Sequence, residues 1–233
     1  MVFTNVQSKL KKLADPERAK GSLRFFKTGK GQYGEGDRFL GITVPEARKV
    51  AKKFKDLPLL EVKKLLESKI HEHRFVALEI LVFKYEASLE TEKKKIVNFY
   101  LKNRKFVNNW DLVDTSSYPI LGNWLLDKDR EILYKLAKSK NLWDKRIAIV
   151  STFEFIRSNQ FEDTLKISEI LLNDKHDLIH KASGWMLREV GKKSQPTLEN
   201  FLKKHSKNMP RTMLRYAIEK FPEERRKGWL KAR

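Results

Sequence analysis

The 233-residue chain contains no cysteine. Disulfide bridges, thiolate metal sites and thiol nucleophiles are therefore excluded, and the absence fits a reducing cytosol. No apolar run approaches the roughly 20 residues that a spanning helix needs, and residues 1–20 lack a signal-peptide core. A soluble cytoplasmic protein without a membrane partner is the expectation. Acidic residues are scarce relative to basic ones: 30 Asp plus Glu face 50 Lys plus Arg, a formal net charge of +20. Such a field gathers polyanions and speeds their capture, so nucleic acid is the leading partner. Alternating strand patterns are also missing.

What is present reads with helical period. "EARKVAKKF", "LLEVKKLLES", "HRFVALEILVFKY", "DREILYKLAKS" and "DTLKISEILLN" each carry one apolar stripe. Pro45, Pro58, Pro196, Pro210 and Pro222 fall at expected helix starts. A weak internal echo puts a basic residue before a small-plus-apolar run at Arg74, Arg146, Lys181 and Arg215, with one beat missing near residue 110. The later spacings are those of two-helix solenoid repeats, so residues 1–233 are expected to form one all-α domain. Stacked repeats would turn the basic beats toward one positively charged concave wall. Lys-rich solvated helix faces are the plainer explanation for any single one.

Residues 27–41, "KTGKGQYGEGDRFLG", hold five of the ten glycines and predict an irregular loop. Gly29, Gly31 and Gly34 form a G-x-G-x-x-G, but a helix precedes it where a dinucleotide site needs a strand. A connector, or a loop whose N–H groups meet a phosphate, fits better. "HDLIH" at 176–180 resembles a zinc-protease signature, yet Asp177 stands where glutamate belongs and no third ligand is evident. A helix-start cluster near Asn173 or Asp174 accounts for it. In "HEH" at 71–73 the two histidines point to different sides of a helix. No metal site is expected.

One stretch remains. In "NNWDLVDTSSYP" the Trp110 indole and the Asp114 carboxylate are four residues apart, which places them on one helical face. In "HKASGWMLREVGKK", Lys181, Trp185 and Arg188 likewise share a face, and Gly184 suggests a tight approach. A core tryptophan and an Asp capping the next helix, with Pro119 in its first turn, form the structural alternative. The chemical alternative is N-glycosidic cleavage. An ionised carboxylate stabilises an oxocarbenium-like sugar, and indole faces attract cations. If the base is already cationic through alkylation, it leaves neutral. One carboxylate then suffices, without a second acid, a metal or a cofactor.

With "FLGITVPEARKVAK", "NNWDLVDTSSYPILGNWL", "WDKRIAIV" and "KASGWMLREV" in view, the chain resembles the bacterial AlkD-like DNA alkylation repair glycosylases over most of its length. That resemblance implies a curved solenoid of HEAT-like antiparallel helix pairs. It implies excision of N3- and N7-alkylated purines from duplex DNA by a monofunctional glycosylase, acting as a monomer in the bacterial cytosol or nucleoid. Asp114 matches the catalytic aspartate, Trp110 and Trp185 the aromatic pair at the lesion, and Arg146 and Arg188 the arginines that hold DNA. Lys181 and Arg48 join the expected DNA-binding set, and Asp111 falls to a structural role. The family is associated with cleavage while the lesion stays stacked. Some members carry tyrosine where Phe25 stands and tryptophan where Asn109 stands. The competing readings are a non-catalytic HEAT-like nucleic-acid module and a binder of branched DNA. Trp229, in the basic tail, is read as packing.

Overall fold

The computed structural model describes residues 2–231. Among these the chain is helical, and the only sheet-like pairing is an isolated bridge between Arg38 and Ile70. It divides into two compact units, Met1–Ser116 and Ser117–Arg233.

The first unit contains α1 (Val2–Lys11), α2 (Pro16–Phe25), α3 (Val44–Lys53), α4 (Leu59–Leu66), α5 (His71–Glu86), α6 (Glu90–Asn103) and α7 (Trp110–Ser117), whose last residue begins the second unit. Local chemistry sets the helix starts. Asp15 accepts from the Glu17 and Arg18 N–H groups, both at 3.0 Å, ahead of Pro16. Thr43 and Glu46 form a reciprocal capping box on α3. α5 departs from the expected single stripe, because α1, α3, α4 and α6 all pack against it and its residues from His71 to Val82 are buried without a break. Leu78, Ile80 and Leu81 are fully covered, each contributing roughly 1.5–3 kcal/mol of transfer free energy. A helix enclosed on all sides needs no polar face.

The second unit holds a π-helical turn (Tyr118–Gly122), then α8 (Glu131–Ala137), α9 (Leu142–Ser151), α10 (Phe153–Arg157), α11 (Glu162–Ile170), α12 (Asp177–Lys193), α13 (Gln195–His205), α14 (Arg211–Ala217) and α15 (Glu223–Lys231). α12 packs on α9 and on α14, so three helices carrying the sequence echo are neighbours. Gly184 makes the second contact feasible: a Cβ there would lie 2.5 Å from the Tyr216 Cβ and 2.6 Å from the Met213 carbonyl oxygen. The expected tight approach is thus between helices. Leu187, Leu198, Phe201, Met213 and Leu214 form the terminal core, against which Trp229 packs as expected.

The echo does not produce a uniform wall of cations. Arg74 is 3% exposed and pairs with Asp37 at 2.7 Å, while Arg146 is 5% exposed and donates to the Leu178 carbonyl at 2.7 Å. Periodicity sets the angle of a side chain about its own helix, and partners across the interface decide whether it reaches solvent.

Candidate active site

α7 begins where a 3-10 turn (Arg104–Phe106) ends, and Asn109 caps it by accepting from the Trp110 N–H at 2.8 Å. Trp110 and Asp114 are both half-buried. They lie one turn apart on the same face of this helix. Asp114 sits inside α7, not at the start of the next helix, so the capping alternative is overturned. The chain after Ser117 runs into the π turn that contains Pro119. π turns insert an extra residue per turn and recur at functional sites.

Aromatic rings surround the indole. Phe26 stacks on Trp110 at 5.5 Å and Phe25, 64% exposed, meets it edge-on at 5.7 Å. On its other side Phe26 stacks with Phe39 at 5.0 Å and touches the His71 ring at 4.7 Å.

Behind this stack lies a polar network that sequence reasoning missed. His71 Nδ1 meets Asp37 Oδ2 at 3.1 Å and His71 Nε2 meets Asp111 Oδ2 at 2.7 Å. Asp37 also accepts from Arg74 at 2.7 Å and from Asn109 at 3.2 Å. Burial pushes the His71 pKa down, but the charge and hydrogen bond of Asp111 and the hydrogen bond of Asp37 outweigh it, raising the value to about 9. His71 is therefore an imidazolium at neutral pH. Burial likewise works against ionised Asp37, yet His71, Arg74 and Asn109 hold its pKa below the ordinary range.

The "HEH" motif resolves into three separate jobs. His71 enters the network, Glu72 accepts backbone N–H groups of Leu40, Gly41 and Ile42 at 2.8–3.3 Å, and His73 meets the Ser68 hydroxyl at 3.0 Å. A usable signal is present in the sequence: four consecutive polar residues, His71 to Arg74, open the most enclosed helix. Buried polar groups require partners.

Next to Asp114, Thr115 donates to buried Glu79, which also accepts from Arg48 Nε at 3.0 Å. The other expected site residues belong to the second unit. Trp185 is half-buried, 5.9 Å from Phe153, whose edge meets Tyr118 at 5.2 Å. Arg188 pairs with Glu219 and with Glu189 at 3.3 Å, and Lys181 with Asp177 at 2.7 Å. In "HDLIH", His176 accepts from the Leu178 N–H at 3.2 Å as the α12 cap, and His180 Nε2 meets the Asp174 carbonyl at 2.6 Å. Among the described residues no group of three or more His, Asp or Glu side chains could hold a metal ion.

A family model described as DNA alkylation repair enzyme matches residues 6–221, nearly the whole chain. The chain belongs to that family. Membership places it among enzymes that repair alkylated DNA. A solved structure titled "Predicted DNA alkylation repair enzyme from Enterococcus faecalis" superposes with a TM-score of 0.70 at 18% identity, covering 90% of this chain and 97% of that one. At that identity the likeness shows the shared all-helical fold. No curated protein gives a significant match. No described helix of this DNA alkylation repair family member is long and apolar enough to cross a membrane.

Proposed function

We propose that the protein is a monofunctional glycosylase that hydrolyses the N-glycosidic bond of cationic N3- and N7-alkylated purines in duplex DNA, as a monomer and without a cofactor. The observation that supports this most is on α7. Trp110 and Asp114 share a half-buried face while Asp111, the other acid of the motif, is tied to His71.

In this reading the C1′–N bond breaks with its electron pair going to the base, which leaves neutral. Positive charge then develops at C1′ and the ring oxygen, where the Asp114 carboxylate stabilises it. The same carboxylate orients a water for attack at C1′. The water's oxygen forms the new bond and its spare proton is released, which balances the charge carried by the damaged base. Trp110 offers an indole face to the cationic sugar, and Trp185, in the second unit, is an aromatic contact for the DNA backbone. Arg48, Lys181 and Arg188 hold the phosphates; in the free protein each already has a hydrogen-bond or ion-pair partner, so DNA must share or displace it, and Arg146, buried against the Leu178 carbonyl, must first leave that contact to join them.

The test is incubation with methylated duplex DNA and chromatography of the freed bases. Release of 7-methylguanine by the wild type, reduced by about 100-fold or more in Asp114→Asn with DNA binding retained, is expected. Binding without any base release would instead favour a non-catalytic nucleic-acid module.

A further inference from the structure

The loop between α2 and α3 has no part in the chemistry above, although it follows directly from the rings that pack on Trp110. Lys27 is the residue after Phe26. Its Cα is therefore only about 3.8 Å from that of a residue stacked on the indole.

The roots of the loop are fastened by three independent devices. Asp37 is buried among Arg74, His71 and Asn109, and Asn109 in turn caps the helix that starts at Trp110. Glu72 gathers the N–H groups of Leu40, Gly41 and Ile42. The backbone of Arg38 donates to the Lys69 carbonyl at 3.1 Å and accepts from the His71 N–H at 2.8 Å. Loop and α7 are thus joined through buried charge before any ligand arrives. Little ordering entropy would oppose docking onto such a surface.

The loop, the end of α2 and the segment before α5 together carry unpaired positive charge. Arg24, Lys27, Lys30, Arg38 and Lys69 are exposed, and none forms an ion pair among the described residues. Glu35 is the exposed acid of the loop, and its carboxylate is engaged by the Gly31 N–H at 2.8 Å. Asp37 is buried and matched, so it does not offset the surface charge. Gly31 and Gly36 take positive φ of 75° and 87°, and a Cβ at either would meet nothing within 4 Å. The tip is low and open. A cleft of about 560 Å³ is lined by the loop residues Thr28, Glu35 and Arg38 and by Lys69. Arg74 lines the same cleft, and its buried Nε–H has no hydrogen-bond partner among the described residues.

We propose that the glycine-rich loop is a second DNA-gripping element, whose lysines and Arg38 contact backbone phosphates beside the nucleotide that faces Trp110. The inference rests on the proposed function only in taking duplex DNA as the partner. Small glycine-bearing turns let a phosphate backbone approach closely, and the pinned roots keep the contacts in register with α7. The loop contributes grip without base readout, since phosphate contacts position a protein and carry no sequence information.

The test compares two full-length triple variants of equal charge. In Lys27→Gln/Lys30→Gln/Arg38→Gln the loop is neutralised; in Lys203→Gln/Lys204→Gln/Lys207→Gln three exposed lysines of the second unit are. Affinity for an undamaged duplex is measured across a salt series. The loop variant should lower the slope of log affinity against log salt by about 0.9 for each phosphate it no longer neutralises, up to about 2.7, and weaken low-salt binding well beyond the control. Equal slopes and affinities for the two variants would overturn the proposal. Base release from methylated DNA is scored separately for the wild type. Its absence, with the loop effect present, would sink the glycosylase reading and leave the gripping loop intact.

Discussion

His71 and Asp111 are joined by a 2.7 Å hydrogen bond between an imidazolium and a carboxylate, and the His71 ring lies against Phe26, which stacks on Trp110. The neighbouring Asp37 completes a charge-balanced cluster with Arg74. Charged groups withdrawn from water this far are stable only while every member is matched, so protonation of the cluster and stability of the first unit are linked.

Two histidines on one turn of α5 make the pH dependence two-sided. His71 titrates at about 9 in the folded chain against 6.5 unfolded, so its stabilising contribution is complete below pH 6.5 and is lost as pH rises through 9. Asp37, Asp111 and Arg74 are the charged groups that face it. His73 has the opposite sign. Burial and then the Arg74 charge depress its pKa to about 4, so its neutral form stabilises above pH 6.5 and that contribution is lost as pH falls toward 4. Urea unfolding midpoints measured from pH 4 to 10 should peak near pH 6–7. His71→Gln should flatten the alkaline limb and leave the acid limb in place; an unchanged alkaline limb would remove His71 from the network.

Glu79 ties Arg48 and Thr115 together beside Asp114. Replacing it by alanine strands the Thr115 hydroxyl and frees the Arg48 guanidinium from the carboxylate it pairs with. A loss of about 1–3 kcal/mol is expected, read by denaturant unfolding, because a buried acceptor that served two donors disappears. Glu79→Gln should recover part of that loss, since the amide oxygen still accepts.

Glycines separate into those that are packed and those that are open. Gly184→Ala would force a Cβ to 2.5 Å from the Tyr216 Cβ, so α12 and α14 must part; about 1–3 kcal/mol of destabilisation and a changed Trp185 fluorescence are expected. Gly21 lies inside α2 with nothing within 4 Å of a new Cβ, so Gly21→Ala should stabilise by roughly 0.5–1 kcal/mol. Equal effects at the two sites in thermal or urea unfolding would contradict the packing difference.

Helices are legible in the sequence where an apolar stripe repeats and a proline or cap marks the start, as at Thr43 to Glu46. The 3.6-residue period alone also places Trp110 and Asp114 on one face. Other relationships are out of its reach. Asp37 and His71 are 34 residues apart and separated by two helices, and nothing local in either segment says that they meet. Arg74 shows the limit of periodic reading: its beat matches Arg146 and Lys181, but Asp37 draws it inward. The enclosure of α5 is hidden for the same reason, since its surroundings come from four other helices.

The two acids of "WDLVD" provide the sharpest separation between structure and chemistry. Asp111 faces His71 and Asp114 shares the Trp110 face, although they are three residues apart on the same short helix. Asp111→Asn keeps an acceptor for His71 Nε2 but removes the charge that helps hold the imidazolium. It should cost about 1–3 kcal/mol in unfolding experiments, move the alkaline loss of stability to lower pH, and reduce base release less than tenfold. Asp114→Asn should do the reverse, leaving the urea midpoint within about 0.5 kcal/mol of wild type while release of 7-methylguanine drops by about 100-fold or more. Single-turnover rates on methylated duplex, at protein concentrations that saturate binding, separate the bond-breaking step from DNA affinity. If Asp111→Asn proved the slower enzyme at equal folded fraction, the carboxylate assigned to the sugar would have to be Asp111, and the His71 contact would become part of the reaction rather than of the scaffold.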